Sequence, residues 1–326
     1  MDRRQALRDS LETRQIALYF CVVVVAAMLA LLIPGTTMLE AAINPALALM
    51  LYVTFLQVPI AELTRAFGQI RFLLALLLAN FVAIPLLVAG LIQFLPDDPM
   101  LRLGVLLVLL APCVDYVVTF AHLGRADSRL LLAATPALLL AQMLLLPPYL
   151  SVFLGADAAK LVQVGPFLHA FVWLIAVPLA LAVGTQWWAT RSATGSRAAS
   201  TLGLLPVPAT ALVLFVVIAA VVPQLGPALG TALAVVPIYI AFALTAPLLG
   251  WVVARAFRLE AKAGRSIAFS TGTRNSLVVL PLALAVPGAV PILPAIIVTQ
   301  TLVELMSELV YVRLIAKLGA MSRLES

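Results

Sequence analysis

Long apolar segments separated by short polar ones fill the whole chain. A helix that rises ~1.5 Å per residue needs about 20 residues to cross ~30 Å of hydrocarbon, and the apolar segments have about that length. They lack the ~10-residue alternating pattern of a membrane β-barrel. The pattern therefore predicts an all-α polytopic membrane protein with about ten transmembrane helices. The predicted spans are 16–33, 43–60, 71–94, 101–122, 128–149, 163–189, 203–223, 230–257, 265–286 and 288–313.

The composition leaves no room for a soluble domain. The 326 residues are 64% hydrophobic and 10% charged, with a mean hydropathy of +1.15. We therefore expect residues 1–326 to form a single transmembrane domain in contact with membrane lipid.

The distribution of positive charge predicts the sidedness of the chain. A net charge of +6 could suggest a nucleic-acid partner. However, only Arg102 and Lys160 lie in the loops on one side, Arg274 lies inside a span, and the other cations lie in the opposite loops and the two ends. The positive-inside rule then predicts a cell-membrane protein with both termini in the cytoplasm and no nucleic-acid partner.

The sequence contains no motif of an enzyme, a primary pump or a cofactor site. It has no GxxxxGK[ST] or HExxH segment, and no Ser-His pair lies at a shared depth. Its two cysteines, Cys21 and Cys113, both lie in apolar segments, which excludes a disulfide framework and a cysteine zinc site. We therefore expect neither enzymatic activity nor a cofactor.

Two spans carry signs of interruption at matching positions. Span 4 contains Pro112 between Gly104 and a polar cluster, and span 9 contains "FSTGTRNS", Phe269–Ser276. Ten spans divide into repeats at 16–149 and 163–313, which must cross the membrane in opposite senses because five is odd. Paired interrupted helices in corresponding positions of two repeats are the best sequence indication of a transporter substrate site, so we expect the site at spans 4 and 9.

Five polar side chains from four spans share one depth. Counted from the cytoplasmic ends of their helices they lie ~12–15 Å deep. They are Asn80, Cys113, Asp115, Arg274 and Glu304. A charge at this depth costs about 2.5–3.5 kcal/mol on insertion scales, so Asp115 and Arg274 are expected either to neutralise each other as a structural pair or to belong to a substrate site. Glu308 lies closer to Arg313, and we expect it to reach the interface in a structural role.

Three segments resemble the bile acid:sodium symporter superfamily and, within it, the arsenite efflux permeases. They are "LAPCVDYVVTFAHLGRAD", "SIAFSTGTRNSLVVLPLALA" and "IIVTQTLVELMSELVYV". The segments of this chain that resemble motifs of the permeases are Ala111–Cys113, Ala126–Asp127 and Val303–Glu304. The resemblance implies a core of spans 3–5 and 8–10, with spans 4 and 9 crossing near the midplane, against a panel of spans 1, 2, 6 and 7. It also implies that Cys113 and Glu304 serve arsenite passage and its proton coupling.

Span 9 departs from the sodium-binding version of this family. The symporters carry a Glu-Thr-Gly-x-Gln-Asn segment, where this chain has Ser270 in place of the glutamate and Arg274 in place of the glutamine, followed by Asn275. A guanidinium stays charged in proteins and repels a cation at the same position. We therefore expect coupling to protons rather than to sodium.

Two hypotheses follow for the transported solute. The first is arsenite efflux coupled to protons, in which Cys113 binds the metalloid and Glu304 carries the proton, because an Asp115 held in an ion pair keeps its charge. The second is a proton- or sodium-coupled organic-anion transporter in which Arg274 captures a carboxylate or sulfonate. The residues expected to bind substrate are Asn80, Cys113, Asp115, Arg274 and Asn275.

Overall fold

The computed structural model of the protein describes residues 3–57, 69–114, 116–155, 165, 169, 172–284 and 286–319. Within these ranges the regular elements are helices, and the one extended pairing is an isolated bridge. The all-α prediction is confirmed. Asp115, the end of predicted span 2 and much of the first half of span 6 lie outside the described residues.

The described chain contains fourteen α-helices. In chain order they are α1 (Arg3–Leu32), α2 (Glu40–Leu56), α3 (Ile70–Leu78), α4 (Ile84–Leu91), α5 (Pro99–Leu109), α6 (Val117–Leu123), α7 (Ser128–Leu154), α8 (Val177–Arg191), α9 (Ala193–Leu202), α10 (Pro206–Val221), α11 (Leu225–Ala256), α12 (Ala261–Gly272), α13 (Ser276–Leu284) and α14 (Ile292–Leu314). A π-helical turn, Ala79–Ala83, joins α3 to α4.

Seven segments among the described residues are long and apolar enough to cross a membrane. They are Thr36–Leu56, Ile70–Phe94, Ser128–Leu154, Val172–Arg191, Pro206–Gln224, Ala228–Ala256 and Ile292–Lys317. The chain is thus an integral membrane protein. Spans 4 and 9 are each divided into two shorter helices, and the count of ten stays a prediction.

The chain folds into two compact units. Unit 1 comprises Met1–Ile60 and Val164–Leu229, and unit 2 comprises Ala61–Gln163 and Gly230–Ser326. Unit 1 contains spans 1, 2, 6 and 7, and unit 2 contains spans 3–5 and 8–10. The units therefore contain the same spans as the panel and the core that the resemblance implies.

Unit 1 is built on α10, which packs against α1 and α2, while α8 also packs on α2. Polar side chains of α8 form hydrogen bonds with the C-terminal part of α2. The Tyr52 and Thr185 hydroxyl oxygens lie 2.9 Å apart, and Gln186 Nε2 donates to the Phe55 and Leu56 carbonyls at 3.3 Å each. The two Gln186 bonds give carbonyls in the last turn of α2 a side-chain partner from α8.

In unit 2, aspartates cap the first helices of spans 4 and 5. Asp98 Oδ1 caps α5 by accepting from the Met100 and Leu101 amides at 2.8 and 3.1 Å. Asp127 Oδ1 caps α7, and the Asp127 carbonyl accepts from Ser266 Oγ at 2.9 Å. The second aspartate thereby joins the start of α7 to α12.

Close packing of α11 on α12 depends on Gly250. A Cβ at this position would lie 3.0 Å from the Ile267 carbonyl oxygen and 2.1 Å from Thr271 Oγ1. We expect Gly250→Ala to lower the melting temperature of the purified protein, since overpacking costs about 1–3 kcal/mol. Gly230→Ala on the same helix is the control, because a Cβ there meets nothing within 4 Å. Equal melting temperatures for the two variants would contradict this packing.

Candidate functional site

The interruptions of spans 4 and 9 meet in unit 2. In span 4, α5 ends at Leu109 and α6 begins at Val117, and in span 9, α12 ends at Gly272 and α13 begins at Ser276. Pro112 and Arg274 form an antiparallel bridge there. The Cys113 amide donates to the Thr273 carbonyl at 3.1 Å, and the Asn275 amide donates to the Ala111 carbonyl at 2.7 Å.

We call residues 111–113 and 273–275 the crossing. Pro112 has no N–H and disfavours helical geometry at the residue before it, which accounts for the end of the helical run in span 4. Backbone groups released inside a membrane protein need partners from the protein itself. At the crossing the two interruptions supply each other's partners. Spans 4 and 9 thus meet, and their position near the membrane midplane stays a prediction.

The Arg274 side chain is fully buried and bonded to neutral oxygens. Its Nη2 donates to the Ser270 carbonyl at 2.5 Å, the Thr271 carbonyl at 2.9 Å and Asn80 Oδ1 at 2.8 Å. Its Nη1 donates to the Leu109 carbonyl at 3.3 Å. The Phe242 ring centroid lies 5.5 Å from the guanidinium carbon.

These contacts make Arg274 a cap for two helix ends. Leu109 is the last residue of α5, and Ser270 and Thr271 belong to the last turn of α12. Carbonyls at helix C-termini carry partial negative charge, which a cation stabilises. Among the described residues no carboxylate forms an ion pair with the guanidinium. The predicted pairing with Asp115 stays a prediction, because Asp115 lies outside the described residues.

Asn80 lies in the π-helical turn of span 3 and points at the same cluster. Its Nδ2 donates to the Leu76 carbonyl at 3.1 Å and to Ser270 Oγ at 3.0 Å, while its Oδ1 accepts from Arg274. The side chain is fully buried. Span 3 thus supplies one of the neutral oxygens that accept from the Arg274 guanidinium.

Glu304 connects α14 to both interruptions. Its Oε2 accepts from the Arg274 backbone amide and from Gln300 Nε2, each at 2.6 Å. Its Oε1 accepts from the Tyr116 hydroxyl at 2.5 Å. The carboxylate is 2% exposed. Three donors therefore surround it and stabilise its ionised form.

Glu308 corrects an expectation from the sequence. We expected its side chain to reach the interface near Arg313, yet it is 0% exposed and its Oε1 lies 2.5 Å from Thr273 Oγ1. Its helix face is the reason. Glu308 lies one turn after Glu304, so both carboxylates point toward the crossing.

Cys113 and Asn275 are buried in the crossing itself. Cys113 is 0% exposed, whereas Cys21 is exposed. The Asn275 side chain is 1% exposed, and neither its Oδ1 nor its Nδ2 has a partner among the described residues. A buried amide without partners leaves hydrogen-bonding capacity for a solute or a water.

A small cavity lies beside Glu304. Its lining residues are Leu109, Tyr239, Phe242, Ala243, Gly272, Gln300, Val303 and Glu304. Its internal space suits about one water molecule. The Gln300 side-chain oxygen has no partner in the described part of the chain. The site therefore has room for a water next to a buried carboxylate.

The structure brings together four of the side chains that share a depth in the sequence. Asn80, Arg274 and Glu304 are connected by hydrogen bonds, and Cys113 is bonded through its backbone to Thr273. Sequence reasoning missed the roles of Gln300 and Tyr116. Gln300 had a signal, since Gln300, Glu304 and Glu308 recur every four residues on one face of α14.

Comparison with known proteins identifies a family. The model of the Sodium Bile acid symporter family matches residues 44–227, which is more than half of the chain. The match includes the interruption of span 4 and ends before that of span 9. No curated protein matches the sequence.

Proposed function

Because the chain belongs to the Sodium Bile acid symporter family, we propose that it is a secondary transporter, rather than an enzyme, that exports arsenite in exchange for protons. The observation that carries the proposal is the buried thiol of Cys113 at a crossing of two interrupted helices. Interrupted helices of this kind form solute sites in transporters.

The chemistry of the crossing suits a small neutral metalloid hydroxide. Cys113 supplies one soft sulfur, the ligand type that a thiophilic centre prefers. Asn275 supplies an amide that has no partner among the described residues and can bond a hydroxyl group of the solute. We propose these two residues for substrate binding, together with Asp115 from the sequence prediction. One sulfur ligand gives a transient complex, which transport requires.

The surroundings of Arg274 support coupling to protons rather than to sodium. Carbonyls at the ends of interrupted helices are the ligands that bind sodium in many transporters. Here the oxygens of Ser270, Thr271 and Asn80 all accept from the Arg274 guanidinium. We propose that this built-in cation takes the place of a sodium ion. Glu304 and Glu308 are then the buried groups available to exchange a proton.

An organic-anion transporter is the second candidate, favoured by the name of the family. In this version Arg274 and Asn80 bind the substrate and Cys113 is incidental. The Arg274 Nε has no partner among the described residues and could donate to a carboxylate. The other described contacts of the guanidinium are to protein oxygens. An anion would have to displace those oxygens, so we rank this function second.

Transport by the purified protein in proteoliposomes tests both functions. We expect arsenite flux that responds to a pH gradient and is unchanged when a large inert cation replaces sodium. Empty liposomes and liposomes with Cys113→Ser protein are the controls. A strict sodium requirement would exclude the proposed coupling. Flux of a bile acid or another organic anion without arsenite flux would establish the second candidate instead.

A further inference from the structure

Thr273 makes two short oxygen–oxygen contacts at the crossing. Its Oγ1 lies 2.7 Å from the Phe269 carbonyl oxygen and 2.5 Å from Glu308 Oε1. A hydroxyl has one hydrogen, a carbonyl oxygen only accepts, and an ionised carboxylate only accepts. The threonine hydrogen can therefore occupy one of the two contacts but not both.

A hydrogen on the carboxyl group accounts for both contacts, which are shorter than those of Thr271 Oγ1, a hydroxyl that also faces two oxygens, at 3.0 and 3.1 Å. We infer that Glu308 is protonated in this conformation and is a proton-binding site of the protein. Its O–H donates to Thr273 Oγ1, and the threonine hydroxyl in turn donates to the Phe269 carbonyl. With Glu308 ionised, Thr273 Oγ1 would face either the Phe269 carbonyl oxygen or the Glu308 carboxylate without a hydrogen between the two oxygens.

Glu304 has the opposite surroundings. Two of its contacts come from N–H groups, the Arg274 amide and the Gln300 side chain, which can only donate. Glu308 has one described contact, and its Oε2 has no partner in the described residues. The two carboxyl groups are thus distinguished by their donors, with the negative charge on Glu304 and the proton on Glu308.

The neighbouring charges agree with this assignment. Glu304 is one turn away on α14, and two ionised carboxylates at this spacing repel each other. The Arg274 guanidinium is directed to Asn80 and to helix-end carbonyls. Tyr311, also near Glu308, donates its hydroxyl to the Ala243 carbonyl at 2.5 Å. A proton on Glu308 removes the repulsion, because only one of the two glutamates is then charged.

Protonation of Glu308 is connected to the crossing through Thr273. The carbonyl of Thr273 accepts from the Cys113 amide at 3.1 Å, while its side chain contacts Glu308. Loss of the proton removes one of the two Thr273 contacts and so changes the residue that faces Cys113. A role in transport rests on the proposed proton coupling, but the protonation itself is measurable without transport.

Infrared spectroscopy of the purified protein at neutral pH tests the inference. We expect a carboxylic-acid C=O band in the wild type and in Glu304→Gln that is missing in Glu308→Gln. Thr273→Val should shift the band to higher frequency by removing the acceptor, whereas Thr273→Ser should leave it in place. A band that survives in Glu308→Gln with no difference from the wild type would overturn the inference. A carboxylic-acid band that is lost in Glu304→Gln but kept in Glu308→Gln would also overturn the inference.

Transport separates this inference from the proposed function. Glu308→Gln imitates the protonated group, because its amide can donate to Thr273 Oγ1. We expect it to retain solute exchange and lose the response to a pH gradient. If the infrared band is assigned to Glu308 but transport ignores pH, the proton site stands and proton coupling fails. If transport responds to pH without the band, coupling stands and Glu308 is not the site.

Discussion

Replacement of Arg274 by glutamine is expected to make the thermal stability of the protein depend on sodium. The variant removes the guanidinium and leaves the oxygens of Ser270, Thr271 and Asn80 without their donor. Each buried oxygen left unpaired costs about 1–3 kcal/mol, so the variant should melt well below the wild type in a sodium-free buffer. The vacated oxygens form a set of ligands suited to a hard cation.

Sodium should then recover part of the lost stability. A ligand present at about 100 times its Kd stabilises the folded state by about 2.7 kcal/mol, which raises the melting temperature by several degrees. The measurement is a melting curve in detergent with sodium or with a large inert cation. The wild type should show no difference between the two salts, because its guanidinium already occupies the oxygens.

Arg265→Gln provides a matched control. Arg265 lies in α12 and is also buried, and its Nη1 donates to the Ala316 and Leu318 carbonyls at 2.9 and 3.4 Å. Its loss should lower the melting temperature without any response to sodium. A sodium response in the wild type, or its absence in Arg274→Gln, would refute the idea that a guanidinium replaces a sodium ion.

The two interruptions could be predicted from sequence because their determinants are local. Pro112 disfavours helical geometry at the residue before it, and span 9 carries the polar segment Phe269–Ser276; the distance of both from the charged ends gives their depth. The depth argument also selected Asn80, Arg274 and Glu304 correctly as neighbours. What it could not give is the partner of each group.

The partners of Arg274 illustrate this limit. Its guanidinium is held mainly by backbone carbonyls at the ends of α5 and α12. Every residue has a carbonyl, so no residue type marks these acceptors in the sequence. They become recognisable only when the fold brings two helix C-termini together.

Glu308 shows a different limit. Its distance from Arg313 suggested an interfacial side chain, because depth was the only coordinate considered. The helix face decides instead, and a repeat of four residues from Gln300 through Glu304 places Glu308 toward the crossing. A helical-wheel argument could have identified it. The division into two units, by contrast, was expected only through the family resemblance.

Replacement of Cys113 by serine is expected to abolish arsenite resistance in an arsenite-sensitive host. Serine keeps the approximate size of the side chain and can form hydrogen bonds, so the fully buried position should still pack. It removes the soft sulfur that a thiophilic centre binds. Loss of a residue that only hydrogen-bonds to a metal ligand weakens metal binding by about 10–100-fold. Loss of the sulfur ligand itself should weaken arsenite binding at least as much.

The comparison requires equal amounts of protein in the membrane. Cys21→Ser is the matched control, because Cys21 is exposed and lies in α1 of unit 1, far along the chain from the crossing. We expect it to confer wild-type resistance. If Cys113→Ser confers the same resistance, the thiol is not a ligand. If the wild type confers none, arsenite is not the substrate, and the organic anion that Arg274 could bind becomes the leading candidate, because it requires no sulfur.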